Sequence, residues 1–152
     1  MKLAALAILC ASPIWAEEFA PFDVAQVKTF HIGEVTAKSK TTAIQAERLI
    51  PVLRERIAAR LRELGLSESG GPADVRITAS LNVDSDRRTA ARRRPLHQYD
   101  YRGRLFISIR AGKANALVWQ KFPSFSEDES KWFEERLHRH VDRAMSGFPP
   151  KN

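Results

Sequence analysis

Cysteine is almost missing from this chain of 152 residues: Cys10 is the only one. Beyond residue 16 the chain therefore forms no disulfide, offers no thiolate nucleophile and builds no cysteine-ligated metal site. Many small exported domains depend on disulfides; this one has to hold by packing. Long apolar runs are missing too. Leu3–Cys10 falls well short of the about 20 residues that cross a bilayer as a helix. No G-x-S-x-G, H-E-x-x-H, P-loop or Rossmann fingerprint occurs, and no cofactor motif. The four histidines, His31, His97, His138 and His140, are not spaced as metal ligands. His138 and His140 stand two apart on an expected helix and point different ways. His97 sits in a basic segment that repels cations. All four read as structural or surface residues. The acids from Glu127 to Glu135 are what a helix start selects, and nothing marks them specifically as a hydrolase pair.

What is present begins at the N-terminus. Lys2, the apolar run and Ala11–Ala16 ahead of Glu17-Glu18 have the layout of a secretory signal peptide. The expected organisation is a signal over residues 1–16 and a single α+β domain over residues 17–152. A lipoprotein signal needs small residues before its cysteine, and Leu9 is the wrong size, so cleavage after Ala16 fits better than lipidation at Cys10. The expected location is periplasmic, with outer-membrane association as the lipidated option. Removing Lys2 with the signal takes the basic residues from 25 to 24 against 18 acids, a net of +6. The remaining length is enough for one core.

Hydrophobic periodicity lays out the elements. Val27–Ile32 reads as a strand ended by Gly33, and Thr36–Thr42 as a polar loop. Ile50, Leu53, Ile57, Leu61 and Leu64 share one helical face. Proline is tolerated at a helix start, so the main helix is expected to begin at Pro51, with a preceding helical stretch over Thr41–Leu49 joined through a kink. Gly65-Leu66 is its stop signal. Val75, Ile77, Ala79, Leu81 and Val83 alternate with Arg76, Thr78, Ser80 and Asn82, which predicts a strand with one buried and one wet face. Tyr99–Arg110 repeats the pattern, and Leu117–Phe122 makes a fourth strand. Ser126–Glu129 reads as a capping box before a last helix with Phe133, Leu137, Val141, Ala144 and Met145 as its stripe. Trp119 and Trp132 read as sheet–helix core. The expected fold is α+β: a single four-stranded mixed sheet in β-α-β-β-β-α order, its two helices packed on one face, with a parallel βαβ unit and then an antiparallel meander.

The segment between the second and third strands carries the sharpest functional pattern. Arg87, Arg88, Arg92, Arg93 and Arg94 put five guanidiniums within eight residues, ended by Pro95. Guanidinium binds phosphate and carboxylate bidentately. An anionic envelope lipid, lipopolysaccharide phosphate or an acidic protein surface is the matching partner, and a solvated hairpin tip explains the same run. Nucleic acid is disfavoured by export and by the lack of interleaved aromatics. Function therefore reads as a non-enzymatic envelope binding or accessory module. A small exported hydrolase, its site assembled only by the fold, is the alternative.

Val27-Lys28-Thr29-Phe30, the L-x-x-x-G-L of Leu61–Leu66, Ala73-Asp74-Val75, Gly103-Arg104-Leu105, Leu117-Val118-Trp119 and Phe148-Pro149-Pro150 together resemble domain-of-unknown-function family 4136. The resemblance covers nearly all of residues 17–152. It implies an exported α+β envelope domain, often a lipoprotein, with no established activity and no catalytic residues to carry over. The element order is also similar, at the level of fold, to the lipoprotein that plugs the lipopolysaccharide translocon.

Overall fold

The computed structural model describes residues 20, 23–87 and 99–149. The expected signal, residues 1–16, lies outside them. A 3-10 turn at Val24–Gln26 leads into β1 (Thr29–Ser39), α1 (Ala46–Glu63), β2 (Ser67–Glu68), β3 (Val75–Arg87), β4 (Tyr99–Ala111), β5 (Leu117–Lys121), β6 (Ser124–Glu127) and α2 (Ser130–Met145). The α+β class and the mixed sheet match expectation, but the sheet has six strands rather than four. Its order is β2-β1-β3-β4-β5, with β6 also on β4. β1 runs parallel to β2 and β3; β3, β4, β5 and β6 meet antiparallel.

Both extra strands have a physical origin. β2 is two residues long, too short to show alternation, and it forms because α1 delivers the chain beside β1. Gly65, at φ 84°, ends α1. Its N–H bonds Arg62 O at 2.9 Å, and the Leu66 N–H bonds Leu61 O at 3.1 Å, a Schellman stop. Ser67 then donates to Lys28 O. β6 exists because β4 is longer than β5. Ile107–Arg110 pairs with β5 and Tyr101–Arg104 pairs with β6. Phe122-Pro123 breaks that edge in two, where proline is tolerated. The first half of the expected capping box is thus strand: Ser126 faces Arg102 in register, and α2 starts after Glu129.

Two further boundaries move. β1 passes through Gly33 to Ser39 on a bulge between Ile32 and Val35, so most of the expected polar loop is strand. Thr36 and Lys38 read as loop residues because they occupy its outward positions, opposite Ser80 and Asn82. α1 starts at Ala46 and carries Pro51 inside it. Pro51 is exposed, so its missing N–H falls on the solvent side. The buried stripe of α1 is Ala46, Leu49, Leu53, Ile57, Ala58 and Leu61. Ile50 is half-buried and Leu64 is exposed.

One core joins these elements. Val75, Ile77, Ala79, Leu81 and Val83 of β3 and Leu105, Ile107 and Ile109 of β4 point into it with the stripes of both helices. Each of the valine, leucine and isoleucine side chains contributes about 1.5–3 kcal/mol on leaving water. α1 and α2 pack on each other and on the same sheet face. Arg56 bridges them, Nε donating to Asp142 Oδ1 at 2.5 Å and Nη2 to Oδ2 at 2.8 Å. Trp119 packs edge-on to Phe148 with centroids 5.7 Å apart, and its indole N–H donates to Gly147 O.

Candidate functional site: the outer face of the sheet

Both helices share one sheet face, and no described element covers the other. Alternation therefore sends the polar residues of β1, β3 and β4 onto an open surface. In register across it stand His31–Arg76–Arg110 near one end, Thr36–Ser80–Phe106 in the middle, and Lys38–Asn82–Arg104 towards the other. Asp84 and Arg102 follow, paired with each other in register, and Arg102 lies opposite Ser126. Two basic rows are thus separated by a belt of hydroxyls that includes half-buried Thr78 and buried Ser108. From Arg76 to Asp84 the strand spans roughly 25 Å at about 3.3 Å per residue.

The second row lines a hollow of about 280 Å³ with Lys38, Lys40, Asn82, Asp84 and Arg104. Lys40 Nζ stands 3.4 Å from Asp84 Oδ2. That hydrogen bond first, then the Ser85 N–H and the charges of Lys40 and Arg104, hold the Asp84 carboxyl below the usual carboxylate range. Three cations face one carboxylate here, so the hollow carries a net positive charge.

The basic segment emerges just beyond this row. Arg87 is the last residue of β3, in register with Tyr99, the first of β4. Arg88, Arg92, Arg93 and Arg94 lie outside the described residues, as does His97. The two flanking strands are antiparallel neighbours. On the same outer face Phe106 and Phe122 stack with centroids 4.6 Å apart, and Phe122 is 67% exposed.

Two polar arrangements escape a sequence reading. Asp74 precedes β3 and accepts hydrogen bonds from Lys28 N at 2.9 Å, Thr29 N at 2.9 Å and Thr29 Oγ1 at 3.0 Å. Its own N–H returns to Thr29 Oγ1. These bonds, backbone donors foremost, hold its carboxyl below the ordinary range. The other arrangement is Glu127, 9% exposed. Its Oε2 accepts from Arg136 Nη1 at 3.0 Å and its Oε1 meets His140 Nε2 at 2.9 Å. The His140 ring stacks on Phe125 with centroids 3.8 Å apart, and Trp132 carries Arg136 over its ring. This cluster fastens β6 to α2. The only hint in the sequence is the alternation of Phe125 and Glu127 with Ser124 and Ser126. His138 is exposed, while His31 bonds Ser69 O through Nδ1. Among the described residues no group of three or more histidines and acids stands together as a metal site, and no helix is long and apolar enough to cross a membrane.

No protein-family model matches the chain, and no curated protein matches it. Solved structures do. A protein described as a homolog of a neuraminyllactose-binding hemagglutinin, from Helicobacter pylori, superposes with a TM-score of 0.64 at 11% identity, over 91% of this chain and 90% of its own. The PelC dodecamer from Paraburkholderia phytofirmans gives 0.55 at 9% identity, over 85% and 92%. A DUF330 protein from Xanthomonas campestris gives 0.52 at 9%, over 89% and 88%. Likeness at these identities is likeness of fold.

Proposed function

We propose that this chain is an exported envelope module that binds rather than catalyses, holding an anionic surface against the hairpin end of its open sheet face. The observation that carries the reading is the uncovered row of Lys38, Arg102 and Arg104, with Lys40 beside it, leading into Arg87, Arg88, Arg92, Arg93 and Arg94. A cationic row placed at the root of a five-arginine connection extends one binding surface. Phosphate-bearing lipid head groups or lipopolysaccharide match its charge, and exposed Phe122 beside it suits an amphiphilic partner. The N-terminal pattern supports a periplasmic location, and the residues shared with domain-of-unknown-function family 4136 support membership in that group of envelope proteins. The name of the Helicobacter pylori neighbour attaches ligand binding to this architecture; that is an analogy of fold and brings no residue across.

The test is cosedimentation with vesicles containing anionic lipid or lipopolysaccharide. The protein is purified from a Gram-negative host expressing the full chain. Binding is expected, and it should weaken steeply with salt as surface charges are screened. Serine at all five loop arginines should cost about tenfold or more in affinity. If binding and its salt dependence survive those substitutions, the reading fails.

A further inference from the structure

A second cationic site lies at the end of the sheet away from the hairpin and needs neither export nor the arginine segment. A cleft of about 810 Å³ opens there between the Gly70-Gly71 turn, the starts of β1 and β3, and the turn after β4. Its charged lining residues are Arg76, Lys113 and Asp74, and His31 stands beside them. Asp74 is held away by three donors from Lys28 and Thr29, all on its Oδ2, and the charge of Lys28 acts on it as well. Among the described residues Arg76 and Lys113 have no ion-pair partner.

The strand register makes this more than a surface accident. Arg76 and Arg110 are direct neighbours across β3 and β4, with His31 beside Arg76 on β1, and the like charges of two arginines so placed are destabilising. No acid interrupts the row. Arg76 is also seated. A Cβ on Gly33 would stand 2.9 Å from Arg76 Nε and 3.4 Å from Nη2. The absent side chain at residue 33 therefore lets the guanidinium lie on the backbone of β1 at the cleft.

We propose that this cleft binds a phosphate monoester, with Arg76 and Lys113 as its charged ligands. Two permanent cations match the dianion. The planar fork of Arg76 takes two of its oxygens and the Lys113 ammonium takes the third as a point charge. The side-chain-free Gly70-Gly71 turn leaves room for whatever carries the phosphate. That carrier is a soluble ester or a lipid head group.

Amide chemical shifts of the full chain, labelled with nitrogen-15, test the site. One arm titrates glycerol 3-phosphate; the other adds phosphatidylcholine vesicles containing phosphatidic acid. Saturable shifts at Gly70, Gly71, Gly112 and Lys113 are expected at millimolar concentration or below. Shifts in the first arm assign a soluble ester; shifts in the second alone assign a head group. Arg76→Gln and Lys113→Gln should each weaken binding about tenfold or more. Gly33→Ala should weaken it while keeping every charge, and Arg139→Gln, on exposed α2 surface, should leave it unchanged. Arg76 and Lys113 are exposed, so the same spectra report whether their variants stay folded. No saturable shift in either arm up to tens of millimolar, or an Arg76→Gln protein that binds like the wild type, overturns the site.

Discussion

At Gly103 the ring of Phe125 occupies the space a side chain would take. A Cβ there would stand 2.3 Å from the ring, which is held from behind by the stacked His140 ring. The ring has nowhere to retreat, so Gly103→Ala should cost about 1–3 kcal/mol, the usual range for overpacking. Urea unfolding measures it, and a change within about 0.5 kcal/mol would show that the stack yields. Asp74 makes a pH argument at the same scale. Its folded pKa lies below its unfolded value of about 3.9. The stability it contributes is therefore present above that value and lost as pH falls through the folded pKa. Asp74→Asn should lower the urea midpoint at pH 7. It should also lose less than the wild type does between pH 4 and pH 2.5. Parallel curves for the two proteins over that window would contradict the assignment.

Helix α2 shows what an element owes to its surroundings. Glu129 holds the N-cap position and makes no side-chain cap hydrogen bond, so Glu129→Ser should add about 0.5–1.5 kcal/mol. The sign discriminates between two helix starts. Were Ser126 the cap, removing Glu129 would break its reciprocal bond and destabilise the protein. Thermal unfolding of E129S reads the difference. The same segment explains how far this fold was legible. The strands at Val75–Val83 and Tyr99–Arg110 stand out because each keeps alternation over many residues, and the stripe of α2 because its spacing is regular. Ser126–Glu129 reads as a cap because S-x-x-E is a local signal, whereas the pairing of β6, which takes in Ser126 and Glu127, depends on the length of a partner strand elsewhere in the chain. β1 was cut at Gly33 because a bulge looks like a turn in one dimension. Pro51 reads as a helix start because sequence does not show which side of a helix faces water.

At the scale of the whole molecule, two helices on one side of a sheet divide the residues into those that hold the fold and those that face outward. Clustered arginine at residues 87–94 is legible in the sequence. The rows behind it are not, because Lys38, Arg102, Arg104, Arg76 and Arg110 become neighbours only through strand register. That register has a measurable cost. Arg76 and Arg110 repel each other across adjacent strands, while the wet face contributes little to the core. Arg76→Gln should therefore stabilise the protein by a few tenths of a kcal/mol at low salt, and the gain should shrink as the Debye length falls from about 30 Å at 0.01 M to about 3 Å at 1 M. Substitutions of comparable size on the inner face, such as Ile77→Ala, should instead cost about 2–5 kcal/mol at any salt. Urea unfolding of both variants at the two salt concentrations separates the contributions. A stabilised Arg76→Gln protein would show that this residue is kept against the interest of the fold, the pattern expected where charge serves a ligand. A destabilised one would make Arg76 part of the sheet's own packing.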